Sequence, residues 1–141
     1  MNVQIHKLNH MLHKQERKHI LDAMETAQKS NMKMKHGCVI VNGKGNVISK
    51  ACNTYETAAD IKPYTKGKYG LSCHAEENAL KKVDYKLLYG AKLYVTRVSV
   101  CDNQFVFMNS KPCHRCTTII NKCIQKYGLK MVYYSTEDLC M

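Results

Sequence analysis

Two short stretches of the sequence combine residue types that can bind zinc and move protons. His74 is followed two positions later by Glu76, and Cys113 and Cys116 form a Cys-x-x-Cys behind Pro112. A catalytic zinc ion takes three protein ligands and leaves a fourth position for water. His74, Cys113 and Cys116 can supply the three ligands, and Glu76 would then lie beside the metal without binding it. The pattern therefore predicts a catalytic zinc site with Glu76 as its acid and base.

Such a site supports the hydrolytic removal of an amino group from a cyclic amidine. Zinc lowers the pKa of a bound water from about 16 toward about 7, so hydroxide can form near neutral pH. The hydroxide would attack a ring carbon such as C4 of cytosine. Glu76 would carry the water proton to the ring nitrogen and then to the departing ammonia.

Each motif taken singly is open to another interpretation. A Cys-x-x-Cys by itself could be a redox pair or half of a structural zinc site. The two motifs together could also form a structural zinc knuckle, with Glu76 as an acid on a helix surface. Cys73 precedes His74 directly and is either packing next to the site or an alternative ligand.

Both motifs are typical of helix starts. Pro112 suits the first helical position, where its missing N–H costs nothing, and Ser72 is a candidate N-cap for the first motif helix. The two helix N-termini would then point at the metal, and their partial positive charge would favour thiolates at Cys113 and Cys116.

Hydrophobic periodicity predicts the elements that must position these residues. The order is helix, β-hairpin, helix, strand, helix, strand, which indicates a three-layer α/β/α fold with a mixed sheet. Leu87 is predicted to be on the buried side of the second helix. The predicted helices cover about 15–30, 74–89 and 112–127, and the predicted strands cover 38–41, 47–52, 91–100 and 131–134.

Two loops flank the predicted site. In residues 54–71, Tyr55, Tyr64 and Tyr69 alternate with three lysines. This composition suits base stacking and phosphate contact. It equally suits an ordinary loop that is anchored by its own tyrosines. Residues 101–110 form the second loop, in which 104–108 has strand character and predicts a hairpin.

Composition indicates one soluble globular domain of 141 residues, with an arm at 1–14 that we expect to be flexible or loosely helical, followed by the main domain at 15–141. No apolar run approaches the ~20 residues that a membrane span needs. The eight cysteines have no disulfide-framework spacing outside 113–116, which favours a reducing compartment, either the cytoplasm or another intracellular compartment such as the nucleus. The net charge of +11 would attract polyanions and phosphate-bearing substrates, or merely aid solubility.

Over residues 15–136 the chain resembles the cytidine/deoxycytidylate deaminase superfamily, and its deoxycytidylate branch in particular. The segment 74–79, His-Ala-Glu-Glu-Asn-Ala, matches the branch's HAE-x-NA form, and Leu93-Tyr94-Val95-Thr96 is similar to the strand before its PCxxC. The resemblance implies a cytidine-deaminase-like fold, Zn2+ held by the same His and two Cys, and proton transfer by Glu76. It also implies that Asn53 binds the sugar and makes Ala75 a candidate substrate-binding residue.

Two features depart from the family pattern. Residues 97–111 separate Thr96 from the PCxxC, whereas in the family the motif follows almost at once. The chain also stops soon after Tyr134, where many members add a helix and a strand. We therefore expect a sheet that is one strand short or covered by a partner subunit, and we expect a homo-oligomer.

Three functions follow from these observations. The first is hydrolytic deamination of a cytosine nucleotide, dCMP to dUMP above all. The second is deamination of cytosine or adenine within single-stranded nucleic acid or tRNA, which the basic composition favours. The third is a non-catalytic zinc domain that binds nucleic acid. Glu76 speaks against the third, because a structural site has no use for a carboxylate beside its metal.

Overall fold

The structure is a computed structural model that describes residues 4–8, 14–55 and 72–139. Three α-helices, one 3-10 helix and eight strands occupy these ranges. They are β1 (Ile5–Lys7), α1 (Lys14–Gln28), β2 (Lys35–Val41), β3 (Val47–Cys52), β4 (Thr54–Tyr55), β5 (Ser72–Cys73), α2 (Ala75–Lys81), the 3-10 helix (Tyr85–Leu88), β6 (Lys92–Cys101), β7 (Gln104–Met108), α3 (His114–Tyr127) and β8 (Met131–Tyr134).

A mixed sheet of six strands forms the middle layer, in the order β1-β8-β6-β2-β3, and β7 also pairs with β6. β8 is parallel to both β1 and β6, whereas β2 is antiparallel to both β3 and β6. β4 and β5 form a separate two-stranded ribbon. The predicted three-layer α/β/α architecture with a mixed sheet is confirmed.

The two faces of the sheet bury separate apolar cores. Alternate residues of β2 show the division, since Cys38 and Ile40 pack with α2 and α3 while Val39 and Val41 pack with α1. The period-2 alternation of a strand produces this division. The α2 and α3 side carries the candidate site at the helix N-termini.

Helix α1 lies unusually close to β2 at Gly37. A Cβ at this position would fall within 2.5 Å of the Ala27 backbone nitrogen and closer still to the Ala23 carbonyl oxygen. Any larger residue would push the helix away from the sheet, so the absence of a side chain is required here.

The prediction of a flexible or loosely helical N-terminal arm is wrong at Ile5–Lys7. These residues form β1 and pair in parallel with β8, with Ile5 opposite Val132. Leu8 follows and is buried against the α1 side of the sheet. The edge strand that we expected to be missing beside β8 is therefore supplied by residues that precede the first helix.

The first motif helix is shorter than predicted. α2 ends at Lys81, and a separate 3-10 helix follows, with the Asp84 side chain accepting a hydrogen bond from the Lys86 N–H at 3.0 Å. This cap starts a separate turn after α2. Leu88 is therefore buried and Leu87 is exposed, which reverses the predicted buried position.

Residues 97–111 extend β6 and return as β7. Asp102 and Asn103 both have positive φ, which is the conformation of a two-residue type I′ hairpin turn. The predicted hairpin is thus confirmed, and it continues β6 beyond the part that pairs with β8. Within the described ranges, no helix is both long enough and apolar enough to cross a bilayer.

Candidate metal centre and active site

The side chains of His74, Cys113 and Cys116 converge on one point. The His74 Nδ1 atom lies 3.4 Å from the Cys113 sulfur and 3.2 Å from the Cys116 sulfur, and all three ligand atoms lie within 4.8 Å of one another. A nitrogen and a sulfur on a tetrahedral zinc ion would be about 3.5 Å apart, given Zn–N and Zn–S bonds of about 2.0 and 2.3 Å. The cluster fits a zinc ion, and three protein ligands are typical of catalytic sites.

His74 itself caps α2, so Ser72 is not the N-cap that we predicted. The His74 N–H donates to the carboxylate of Glu77, the third residue of the helix, at 3.0 Å, which is the N-cap contact of a capping box. Ser72 belongs to β5 instead. Asn78 joins the helix to the end of β3, since its side-chain amide donates to the Cys52 carbonyl at 2.9 Å.

Cys113 caps α3, so Pro112 precedes the helix and does not occupy its first position. The Thr117 N–H donates to the Cys113 carbonyl at 2.8 Å, which closes the first turn. Cys116 follows one turn later and is buried, whereas Cys113 is exposed. Gly128 ends the helix in the left-handed conformation with φ of 78°, as expected of a glycine at this place.

Glu76 is buried beside this cluster, with an exposed fraction of 5%. Burial raises the pKa of its carboxyl, because the charged form loses solvation. Hydrogen bonds from its own backbone amide and from the Cys116 thiol oppose this effect without cancelling it. The position excludes the interpretation of Glu76 as an acid on a helix surface, and a raised pKa suits a group that must both accept and donate a proton.

The Cys116 thiol is buried, and its surroundings oppose the thiolate that we expect at the start of α3. Burial raises its pKa, and the negative charges of Glu76 and Cys113 raise it further. A thiolate here therefore needs a compensating cation, which zinc would supply.

The described residues surround a cavity of about 310 Å³ that is lined by Glu76 and by two residues of the metal cluster, His74 and Cys113. This volume is at the lower end of the range for small-molecule sites. The lining includes predicted site residues and also residues that the sequence analysis did not single out. The walls are Met32, Met34, His36, Asn53, Ser72, His74, Glu76, Ser110, Lys111 and Cys113.

Asn53 lies in the cavity wall and holds the neighbouring strand. Its side-chain Nδ2 donates to the Met34 carbonyl at 2.6 Å, and its Oδ1 accepts from the His36 N–H at 2.9 Å. One N–H and one lone pair remain for a ligand. Burial, and then the Arg97 guanidinium, lower the pKa of His36 to about 4, so its imidazole faces the cavity uncharged at neutral pH.

A buried pair of serines fixes the return of the hairpin to the site. The Ser110 and Ser135 hydroxyl oxygens lie 2.9 Å apart, and Ser110 Oγ also donates to the Val95 carbonyl at 2.9 Å. The Ser135 hydroxyl donates to the Met108 carbonyl at 2.8 Å. These contacts bring the chain back to β6 just before Cys113, so residues 97–111 leave Cys113 in the cluster with His74 and Cys116.

The remaining predicted residues have more limited outcomes. Ala75 is fully buried and does not line the cavity, so its role in substrate binding stays a prediction. The Cys73 sulfur is 3.7 Å from the Lys81 ammonium and is not among the clustered ligand atoms of the described chain. The predicted Tyr and Lys loop lies outside the described residues, except for Thr54 and Tyr55.

The sequence missed several lining residues because nothing in their pattern distinguishes them. Met32 and Met34 read as ordinary loop residues, and Ser110 and Lys111 as the end of the hairpin loop. His36 offered the best signal, since a histidine just before the apolar run of β2 is placed where a strand end can meet a ligand. The fold brings these residues together through the pairing of β2 with β6.

Comparisons with known proteins agree with this geometry. A family model described as "Cytidine and deoxycytidylate deaminase zinc-binding region" matches residues 13–136. The structure is similar to that of the apo dCMP deaminase from the cyanophage S-TIM5, with 24% sequence identity and a TM-score of 0.61 over 92% of this chain and 90% of that one. The complex of that phage's dCMP deaminase with dCMP and dUMP gives 23% identity and a TM-score of 0.59 over 90% and 85% of the two chains. No curated protein matches the sequence significantly.

Proposed function

The chain belongs to the family of zinc-dependent cytidine and deoxycytidylate deaminases, and from this premise we propose that it hydrolyses a cytosine nucleotide, dCMP above all. The products would be the uracil nucleotide, dUMP, and ammonia. One observation carries the proposal. The candidate ligand atoms of His74, Cys113 and Cys116 cluster together, and two of these residues, His74 and Cys113, line the same cavity as the buried Glu76.

His74, Cys113 and Cys116 would hold the zinc ion. When bound there, zinc supplies Lewis-acid chemistry and makes a water molecule acidic enough to act as a nucleophile near neutral pH. The three side chains come from the starts of two helices, and each start is tied to its neighbours by the hydrogen bonds described above. The ligand set is therefore largely in place before the metal arrives.

Glu76 would move the protons of the reaction. Its carboxylate accepts one proton from the attacking water and passes it to N3 of the cytosine ring. The second proton from the water then goes through the same carboxyl to the amino group, which leaves as ammonia while the C4 carbonyl forms. The buried position that raises the pKa of Glu76 makes the protonated intermediate stage less costly.

The cavity walls would orient the nucleotide. Asn53 retains a donor and an acceptor for the sugar while its other contacts fix its position. Met32 and Met34 offer an apolar surface on the same side. Lys111 is exposed and lines the cavity, where it would attract a phosphate group. A dCMP deaminase of similar fold has been crystallised with dCMP and dUMP, which makes dCMP the first substrate to test.

A second candidate is deamination within single-stranded nucleic acid or tRNA. The net charge of +11 favours a polyanion. Tyr55, which precedes the loop at 56–71, has an exposed fraction of 58% and could stack on a base. A mononucleotide makes few phosphate contacts, so its binding should depend only weakly on salt, in contrast to a polynucleotide.

A substrate panel at two salt concentrations tests the proposal. Ammonia release by the zinc-loaded protein would be measured with cytidine, CMP, dCMP, dCTP, adenosine, guanine and a cytosine-containing single-stranded oligonucleotide. We expect release from dCMP, with little dependence on salt. Release from the oligonucleotide alone, falling steeply as salt rises, would contradict the nucleotide assignment and favour the second candidate.

A further inference from the structure

An ion pair joins the two helices that carry the proposed metal ligands. Arg115 lies between Cys113 and Cys116 on α3, and its guanidinium makes two hydrogen bonds to the Glu77 carboxylate of α2. Nε donates to Oε2 at 3.0 Å, and Nη2 donates to Oε1 at 2.5 Å. Such a two-pronged contact fixes the orientation of both side chains, which a single contact does not.

The same carboxylate also holds the backbone of the histidine ligand. Glu77 Oε1 accepts the His74 N–H at 3.0 Å. Arg115 in turn donates to the Ser72 carbonyl at 3.2 Å, just before His74. The strand that leads into α2, the histidine ligand and the cysteine-bearing turn of α3 are therefore connected through one arginine and one glutamate.

The environment of this pair differs from that of the other ion pairs in the described chain. The Glu77 side chain has an exposed fraction of 13% and that of Arg115 has 49%. The Lys7–Asp138 pair is more exposed at both partners, and the Lys50–Asp22 pair joins α1 to β3, away from the metal cluster. A partly buried, bidentate pair restricts motion more than an exposed single contact does.

We propose that Arg115 and Glu77 act as positioning residues that hold His74 and the two cysteines in the geometry that the metal needs. The proposal rests on the proposed function, since it assumes that these three residues bind zinc. Neither Arg115 nor Glu77 lines the substrate cavity, so both act through the ligands. Outer partners of this kind typically change metal affinity by about 10- to 100-fold.

The test compares Arg115→Gln, Glu77→Gln and the double variant with wild type, and uses Arg17→Gln on the exposed side of α1 as a charge-matched control. Zinc affinity would be measured by competition with a chromogenic chelator, and ligand geometry by the visible absorption bands of the Co2+-substituted protein. We expect each single variant to bind zinc about 10- to 100-fold more weakly, with shifted cobalt bands. The losses of the two single variants should not multiply in the double variant, because both changes break the Arg115–Glu77 contact.

Two results would overturn the proposal. One is a zinc affinity and cobalt spectrum in Arg115→Gln that equal those of Arg17→Gln. The other is a double variant whose losses multiply, since this would mean that the two residues act independently. Thermal unfolding of the metal-free variants checks that they fold. A separate Cys113→Ala variant tests the metal assignment. Unchanged zinc binding in Cys113→Ala would refute the proposed zinc site itself. Loss of zinc in Cys113→Ala, together with unchanged zinc binding in Arg115→Gln, would refute only the positioning role.

Discussion

The metal corner, which consists of His74, Cys113 and Cys116 at the starts of α2 and α3, differs from the β6–β7 hairpin in the contacts that fix its position. At the corner, His74 and Cys113 are held by contacts between residues that are distant in sequence, such as the Arg115–Glu77 pair. The hairpin tip depends on its own two-residue turn, and Val100 there has an exposed fraction of 61%. We therefore expect substitutions that break the long-range contacts to disturb the proposed metal site, and substitutions at the hairpin tip to leave it unchanged.

The serine contacts mark the boundary between these two regions. Ser110 and Ser135 connect the end of β7 to β6 and β8. The position of the chain just before Cys113 is therefore fixed without a contribution from the hairpin tip. Substitutions should consequently have large effects at the corner, intermediate effects in the cavity wall, and small effects at the tip.

The largest effect is expected for Cys116→Ala. Loss of this buried sulfur should remove zinc binding and all measurable deamination, and the zinc-dependent increase in thermal stability should disappear, because binding of a metal to the folded state stabilises that state. Zinc content and unfolding temperature with and without added zinc would be measured. Cys123→Ala is the matched control, since it removes a buried thiol from the same helix outside the cluster. Full zinc retention in Cys116→Ala would contradict the ligand assignment.

An intermediate effect is expected for Asn53→Ala. The change leaves the Met34 carbonyl and the His36 N–H without their buried partner, which should cost about 1–3 kcal/mol of unfolding free energy. Because the same side chain is proposed to bind the sugar, kcat/KM for dCMP should fall about 10- to 100-fold, chiefly through KM. Steady-state kinetics and chemical denaturation would measure the two effects, with the exposed turn variant Asn46→Ala as control. Unchanged kinetics would remove Asn53 from substrate binding.

The smallest effect is expected for Val106→Thr at the hairpin. The residue has an exposed fraction of 37% and pairs with Ser99 near the tip, so the unfolding free energy should change by less than about 0.5 kcal/mol. Deamination should be unaffected, which the same kinetic assay would show. A fall in kcat/KM as large as that expected for Asn53→Ala would mean that the hairpin tip contributes to the active site. It would contradict the proposed difference between the two regions.

The residue types and spacing of the two motifs predicted which three side chains come together as candidate metal ligands, because a metal site needs a few specific side chains at helix starts. Strand and helix order was also predictable, since buried runs such as 131–134 and the glycine stop at 128 are local signals. The helix caps were not predicted correctly, because Ser72 and His74 are both acceptable caps and the choice depends on Glu77 and Arg115.

The edge strand at Ile5–Lys7 could not be predicted for a different reason. Three residues with one apolar member carry no strand periodicity, and they form a strand only because the edge of β8 and the buried site for Leu8 receive them. The lining by His36 and Ser110 likewise depends on which strands become neighbours. Long-range pairing of this kind leaves almost no trace in a single sequence.

The central claim is that Glu76 moves protons at a zinc site in this cavity. The most direct measurement is the rate of dUMP formation from dCMP by wild type and Glu76→Gln at equal zinc content. We expect wild type to form dUMP. We expect the rate to be about 10²- to 10⁴-fold lower in Glu76→Gln, with the fold and the zinc content retained. A Glu76→Gln variant as fast as wild type would contradict the account.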